Sequence, residues 1–83
     1  MNQIDYLSII KKHLHRVAPE ADLEKLRPAD DLGTQLDIDS MDFYNIMVGI
    51  SEELHVDIPE EQYDKLRSLK AIKDFLASAI PQN

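Results

Sequence analysis

The sequence predicts an all-α fold, a small bundle of three main helices and one short helix with a long first loop. Apolar residues recur at steps of three and four in three separate stretches, as they do in amphipathic helices. No stretch alternates apolar and polar residues in the way of a half-buried strand. The four prolines fall between these stretches or at their ends, where they limit the helices.

The chain has 83 residues, and we expect a single free-standing domain over residues 1–83 and a monomer. A chain of this size buries only about 60% of its unfolded surface, so the core is small. The absence of cysteine fits a reducing compartment. The start of the chain does not read as a signal peptide, and no stretch approaches the roughly 20 apolar residues of a membrane span. We expect a cytoplasmic protein with no membrane insertion.

The first helix is predicted over residues 3–17, with Asn2 as its N-cap and Asp5 in its first turn. A connection of about residues 18–38 follows, in which prolines prevent a long helix. Its apolar residues are too numerous for a free linker, and we expect them to anchor the loop on the helices. These anchors are Leu23, Leu26, Leu32, Leu36 and Ile38.

The second main helix is predicted from Ser40 to Leu54, with Asp39 as its N-cap and Asp42 in a variant of the capping box. Its core stripe is Phe43, Ile46, Met47, Ile50 and Leu54. A second apolar stripe either is buried as well or forms an exposed contact strip beside Ser40. This stripe is Met41, Tyr44 and Val48.

A short helix is predicted over residues 59–66, with Pro59 at its first position and with Tyr63 and Leu66 facing inward. The last helix is predicted over residues 69–80, with Ser68 as its N-cap. Its spacing of leucine, isoleucine and phenylalanine gives one apolar face.

Charge is unevenly distributed along the chain, whose formal net charge is −7. Between Arg27 and Lys65 there are eleven acidic residues and no lysine or arginine. An acidic surface of this size repels nucleic acid and attracts basic protein surfaces, although it also serves solubility. We therefore expect protein partners with basic patches and no nucleic-acid partner.

Ser40 lies where the long loop turns into the second main helix. A serine at the first position of a helix points its hydroxyl outward, where another enzyme can reach it, and the helix N-terminus helps to hold a phosphodiester. No Gly-x-Ser-x-Gly turn surrounds Ser40, and no histidine is near it in sequence. The pattern predicts a serine that another enzyme modifies, and not the nucleophile of an enzyme.

No metal site is expected. An EF-hand loop that started at Asp37 would place Met41 at a ligand position and Asp42 where glycine is needed. Histidines two residues apart on a helix do not share a face. We expect ordinary surface histidines at His13, His15 and His55.

The run Leu36–Asp42 (Leu-Asp-Ile-Asp-Ser-Met-Asp) resembles the phosphopantetheine attachment signature of acyl carrier proteins. The similarity continues through Ile46–Leu54 and Val56–Glu61, which resemble the second helix, the Ile-Pro link and the third helix of the family. The resemblance covers about residues 3–80. It implies an acyl-carrier-protein-like bundle that shuttles acyl groups between enzymes of fatty-acid, lipid or polyketide-type synthesis, and that is not itself an enzyme.

By this resemblance Ser40, flanked by Asp39 and Met41, receives 4′-phosphopantetheine, whose thiol carries the acyl group as a thioester. The implied partners are a phosphopantetheinyl transferase and acyl-transferring, ketoacyl synthase or acyl-ligase enzymes. We expect partner recognition by acidic residues of the family's recognition region and by the second stripe of the helix. These residues are Asp42, Tyr44, Asn45, Val48, Glu52, Glu53, Asp57, Glu60 and Glu61.

A long acyl chain would need room between the second main helix and the short one. Its predicted lining is Ile46, Met47, Ile50, Leu54, Ile58, Tyr63 and Leu66. Phe43 and Tyr63 are large enough to fill that space, which favours a short or polar cargo.

The sequence also departs from fatty-acid carriers at Asp37, Asn45 and Ser51, where the family usually has glycine or further acids. Two alternatives therefore stay open. One is an aminoacyl carrier of the D-alanyl type, which also uses an Asp-Ser-Met core. The other is an unmodified acidic helical interaction module.

Overall fold

The computed structural model describes residues 5–80, which fold into four α-helices and two 3₁₀ helices, with no strand in this range. The α-helices are α1 (Tyr6–Val17), α2 (Leu32–Leu36), α3 (Ser40–Leu54) and α4 (Leu69–Ala79). The first 3₁₀ helix is Leu23–Lys25 and the second is Glu60–Lys65. The predicted all-α class and helical bundle are confirmed.

α1 begins later than predicted, because Asp5 is its N-cap and not a residue of its first turn. The Asp5 carboxylate accepts hydrogen bonds from the backbone N–H of Ser8 at 3.1 Å and from its hydroxyl at 2.7 Å. These bonds satisfy an N–H group that has no partner inside the helix, so the helix starts at Tyr6. The predicted cap, Asn2, lies outside the described residues.

The long connection contains a helix that the sequence prediction missed. Asp31 caps α2 by accepting hydrogen bonds from the backbone N–H and the hydroxyl of Thr34, both at 2.9 Å. Leu32 is fully buried, and Asp37 ends the helix in the left-handed conformation with φ 53°. Five residues are too few to show a helical period in sequence, which is why this segment was expected to be loop.

The connection is held against the start of α4 by backbone hydrogen bonds. The N–H of Leu32 donates to the carbonyl of Arg67 at 2.7 Å, and the N–H of Lys70 donates to the carbonyl of Pro28 at 2.9 Å. The other predicted anchors are partly buried against the core, as expected; they are Leu23, Leu26, Leu36 and Ile38. The loop that leads to α3 is therefore fixed at several points.

α1 packs against both α3 and α4, and the core lies between these three helices. The predicted core stripe of α3 is confirmed, since four of its members are buried and Leu54 is partly buried against them. The other buried apolar residues are Tyr6, Ile10, Leu14, Leu32, Ile58, Leu66, Leu69, Ile72 and Leu76. Ser68 caps α4 as predicted, by accepting a hydrogen bond from the N–H of Ala71 at 3.1 Å.

The predicted short helix is a 3₁₀ helix, Glu60–Lys65. Its hydrogen bonds join residues three apart, for example the N–H of Gln62 to the carbonyl of Pro59 at 2.9 Å. Pro59 precedes the helix instead of occupying its first position. Leu66, just after it, is buried, whereas Tyr63 is only partly buried.

Candidate functional site

Ser40 is the first residue of α3 and is exposed. The N-cap of the helix is Asp39 and not Ser40, because Asp39 Oδ1 accepts a hydrogen bond from the backbone N–H of Asp42 at 2.8 Å. The Asp39 backbone is extended, with ψ 179°, and brings the loop to the helix start. The Ser40 hydroxyl is therefore not needed to begin the helix.

The hydroxyl of Ser40 has no hydrogen-bond partner among residues 5–80, unlike those of Ser8, Ser51 and Ser68; Ser78, near the end of α4, is also exposed and unengaged but does not begin a helix. Ser8 donates its hydroxyl to a carboxylate of its own turn at 2.7 Å. Ser51 donates its hydroxyl to a backbone carbonyl, and Ser68 uses its hydroxyl to cap α4. Ser40 thus offers an exposed and unengaged nucleophilic oxygen.

A groove of about 450 Å³ opens beside Ser40, between the start of α3 and the second 3₁₀ helix. Its lining is Ser40, Met41, Phe43, Tyr44, Glu60, Tyr63, Asp64 and Arg67. Met41 and Tyr44 are 66% and 40% exposed, so the second apolar stripe of α3 is an exposed strip at this end and not part of the core. The carboxylates of Glu60 and Asp64 place negative charge in the same groove.

Three aromatic rings meet at this groove. The Tyr63 ring lies 6.2 Å from the Phe43 ring in an edge-to-face arrangement and 5.9 Å from the Tyr44 ring, measured between centroids. Partial burial, with the nearby Tyr44 and acidic side chains, raises the pKa of Tyr63 above its ordinary value. Tyr63 therefore stays protonated, and its ring links the second 3₁₀ helix to α3.

Arg67 contributes a cation that the sequence analysis did not single out. Its guanidinium carbon lies 5.7 Å from the centroid of Phe43, within the range of a cation–π contact. Its Nε and Nη2 donate to the Asp31 carboxylate at 2.6 and 3.1 Å, and these bonds hold the pKa of Asp31 well below its usual range. A side chain on Gly33 would collide with the same guanidinium, so α2 approaches Arg67 closely at this point.

The predicted acyl-pocket residues lie in the core and not around the groove. Ile46, Met47 and Ile50 are 0–1% exposed, and Ile58 and Leu66 are 6% and 3% exposed. Leu54 and Tyr63 are partly buried against this core, and only Tyr63 also lines the groove. Their role in holding an acyl chain stays a prediction.

The predicted recognition residues fall on more than one surface. Tyr44 and Glu60 face the groove beside Ser40. A second cavity of about 350 Å³ between α1 and α3 has Asn45, Val48 and Glu52 in its lining, together with Arg16. The remaining predicted acids of this set are exposed except for Asp42, which is partly buried; they are Asp42, Glu53, Asp57 and Glu61.

Glu53 differs from the other predicted recognition acids, because it is paired within the chain. Its carboxylate oxygens lie 2.8 Å from Lys12 Nζ and 2.8 Å from His13 Nε2, both on α1. The hydrogen bonds from Lys12 and then His13 lower the pKa of Glu53. His13 is only 6% exposed, so its assignment as a surface histidine was wrong.

The burial of His13 depends on a glycine of α3. A Cβ on Gly49 would lie 2.6 Å from His13 Nδ1, closer than such contacts allow. The small residue thus lets the imidazole reach Glu53 across the α1–α3 interface. The burial of His13 could not be predicted from the sequence around it. It depends on Gly49 and Glu53, which lie on another helix far along the chain.

Comparison with known proteins identifies the family. Residues 8–76 match the protein family whose description is "Phosphopantetheine attachment site". The acyl carrier protein of Thermosynechococcus vestitus is 30% identical over 82 residues, which cover 96% of this chain and 98% of that protein. The chain belongs to the acyl carrier protein family.

Other members of the family are similar over most of this chain. Acyl carrier protein 2, mitochondrial, of Arabidopsis thaliana is 31% identical over 72 residues, covering 87% of this chain and 53% of that protein. The mitochondrial acyl carrier protein of Saccharomyces cerevisiae is 31% identical over 75 residues, covering 90% of this chain and 57% of that protein. The family signature and these relatives show that the chain is an acyl carrier that uses phosphopantetheine.

The start of α3 fits the attachment of this group. It presents an exposed, unengaged hydroxyl at Ser40, an open groove next to it, and a helix N-terminus whose dipole favours a phosphodiester. No set of three or more possible metal-ligating side chains within residues 5–80 is placed to hold an ion. None of the helices in that range is both long enough and apolar enough to cross a membrane.

Proposed function

We propose that Ser40 is the residue that receives 4′-phosphopantetheine, and that the chain acts as a carrier without catalytic activity of its own. The observation that carries the proposal is the unengaged Ser40 hydroxyl at the first position of α3, inside the matched range. The chain has no cysteine, so the thiol that holds the acyl group as a thioester is supplied by the attached arm.

The residues around Ser40 have separate tasks in this proposal. Asp39 fixes the start of the helix, so the hydroxyl is held in one place for a modifying enzyme. Met41 is mostly exposed beside it and offers an adaptable apolar contact. The N-terminus of α3 stabilises the negative charge of the phosphodiester once it is formed.

The test of attachment is the intact mass after incubation with coenzyme A and a phosphopantetheinyl transferase. Wild-type protein should gain the mass of one phosphopantetheinyl group, and Ser40→Ala should gain none. Ser40→Ala should keep its stability within about 0.5 kcal/mol, since an exposed surface side chain is removed while the Asp39 cap remains. Full modification of Ser40→Ala would show that another residue is the acceptor.

We further propose that the partners are a phosphopantetheinyl transferase and acyl-transferring, ketoacyl synthase or acyl-ligase enzymes that present basic patches. The acidic window between Arg27 and Lys65 supports this, because it contains no compensating base. Glu52 and Asp57 are exposed and make no ion pair within the described chain, so they are available to a partner. Opposite charges of this kind mainly speed the encounter of two proteins.

Charge reversal tests this surface. Glu52→Lys and Asp57→Lys should each slow modification several-fold at about 0.1 M salt, and the differences should shrink at about 1 M, where the screening length is about 3 Å. Asp74→Lys is the matched control, since Asp74 is exposed on α4 outside the acidic window and its only described ion pair is with Lys70. If Asp74→Lys slowed modification as much as the other two variants, the effect would come from net charge alone.

An aminoacyl cargo is the second candidate. The carboxylates of Glu60 and Asp64 in the groove beside Ser40 favour it, because they would attract the free ammonium of an aminoacyl group, whereas Arg67 in the same groove is paired with Asp31. The mass of the cargo on protein isolated from its source distinguishes an aminoacyl group from a simple acyl group. Isolation without any attached arm would instead support the unmodified interaction module.

A single free-standing domain, a monomeric state and a cytoplasmic location stay predictions. The lack of cysteine supports the location, whereas two of the relatives are named mitochondrial. Cell fractionation with an antibody against the chain decides between these compartments.

A further inference from the structure

The rings of Phe43, Tyr44 and Tyr63, the aromatic cluster, line the groove beside Ser40, and Phe43 and Tyr63 also pack on the apolar core. We propose that this cluster limits the cargo to short acyl groups, such as acetyl or butyryl, and holds them in the groove beside Ser40. The inference rests on the proposed attachment at Ser40 and adds the class of cargo to it.

A chain that passed from the groove beside Ser40 to the core would meet the aromatic cluster, because its rings line the groove and two of them also pack on the core. Two of its rings come from α3, and Tyr63 comes from the second 3₁₀ helix on the opposite side. Tyr63 contacts both, with centroids 6.2 Å from Phe43 and 5.9 Å from Tyr44. Such edge-to-face and tilted contacts are favourable geometries for aromatic pairs, so the cluster resists opening.

Phe43, at the bottom of the groove, is also held in place by Arg67. Arg67 lies over the Phe43 ring at 5.7 Å, and two hydrogen bonds to Asp31 fix its guanidinium there. Phe43 itself is 5% exposed, so it already fills the space beneath the groove. A long chain would have to displace Tyr63 and Phe43 together to pass.

Behind the aromatic cluster the core is closed. Ile46, Met47 and Ile50 are essentially inaccessible, and Leu66 is 3% exposed. Protein interiors are packed as densely as organic crystals, so a chain cannot enter without moving these residues.

The groove beside Ser40 is open, has about 450 Å³ of space, and is lined by apolar ring faces as well as by charged groups at Glu60 and Asp64. This open space can take a short acyl group without rearrangement of the core.

The test uses protein loaded at Ser40 with arms that end in acetyl, butyryl, octanoyl or palmitoyl groups joined through stable amide linkages. Thermal unfolding is followed by circular dichroism, and the intact mass of each sample confirms its loading. A chain that is buried in the core would raise the midpoint by up to about 5 °C for each methylene. We expect the wild-type midpoint to change by no more than about 2 °C between butyryl and palmitoyl, far below that value.

Tyr63→Ala should open the aromatic cluster, and its midpoint should then rise with chain length. Tyr63→Leu, a smaller side chain that removes the ring but keeps an apolar contact, serves the same purpose if the alanine variant does not fold. Phe75→Ala is the matched control, because Phe75 is an aromatic residue of α4 that packs on the core without lining the groove. The control should stay as insensitive to chain length as the wild type.

Amide chemical shifts locate the cargo independently. Acetyl and butyryl loading should shift the signals of Met41, Tyr44 and Tyr63 relative to the unacylated arm, and leave those of Ile50 and Leu66 in place. A wild-type midpoint that climbs steadily to palmitoyl, or shifts at Ile50 and Leu66, would overturn the inference while attachment at Ser40 stands. Failure of loading at Ser40 in the mass spectra would overturn the proposed function and this inference together.

Discussion

Replacement of Gly49 by alanine has two opposing effects on the stability of the α1–α3 interface. Gly49 lies inside α3 with an ordinary helical φ, so alanine fits the backbone and should gain about 1 kcal/mol of helix propensity. The added Cβ, however, would lie 2.6 Å from Nδ1 and 2.9 Å from Cε1 of His13. That ring is buried and bonded to Glu53, so it cannot simply turn away.

The balance of these effects gives the expected sign. Overpacking of this kind costs about 1–3 kcal/mol, which exceeds the gain in propensity. We expect Gly49→Ala to destabilise the protein by about 1 kcal/mol, measured by urea unfolding with far-ultraviolet circular dichroism. For a domain of this size the thermal midpoint should fall by about 4–8 °C.

The same substitution in a His13→Ala background supplies the control. With the imidazole removed, the three atoms nearest to the added methyl group are gone, and the propensity gain should dominate. Gly49→Ala should then stabilise by about 1 kcal/mol, so the coupling energy of the two positions is about 2 kcal/mol. A stabilising Gly49→Ala in the wild-type background, or the same sign in both, would refute the argument that His13 is fixed in the interface.

Three further predictions concern caps and ion pairs. Asp39→Ala should cost about 1 kcal/mol of unfolding free energy in urea titrations, whereas Asp39→Ser should stay near wild type because it keeps a capping oxygen. Glu53→Gln should lower the thermal midpoint at neutral pH. The pKa of Glu53 is lowered in the folded protein, so the difference in thermal midpoint should shrink as the pH falls below the ordinary pKa of 4.5 and vanish below the folded pKa. A difference in midpoint that is unchanged at pH 3 would contradict this prediction. Gly33→Ala should push Arg67 off Asp31 and raise the Asp31 pKa, observed by NMR titration of its carboxylate.

Signals that act within a few residues were readable in the sequence. Asp39 and Ser40 mark the start of α3 because a cap and the first helical residue are adjacent in the chain, and Ser68 marks α4 in the same way. The core stripe of α3 follows from its period, and its members are buried or partly buried. The position of Ser40 as an exposed first residue therefore followed from local chemistry alone.

Features that depend on contacts between distant residues were not readable. α2 is stabilised by Asp31, which also binds Arg67, 36 positions away. His13 is buried because Glu53 and Gly49 face it from another helix. Neither arrangement leaves a periodic trace in sequence, so α2 was predicted as loop and His13 as a surface residue.

The acidic window is not one uniform recognition surface, and this changes how charge reversals should be interpreted. Asp31 and Glu53 are paired with Arg67, Lys12 and His13, so reversing either of them would break contacts that hold the fold. A loss of partner binding in such variants would combine altered charge with a displaced helix. Among the described residues, other acids of the window are exposed and make no ion pair, so reversing them breaks no such contact; they include Glu52, Asp57, Glu60, Glu61 and Asp64. Since Glu60 and Asp64 also line the groove, reversals there affect cargo and partner together, and Glu52 and Asp57 give the cleanest measure of docking.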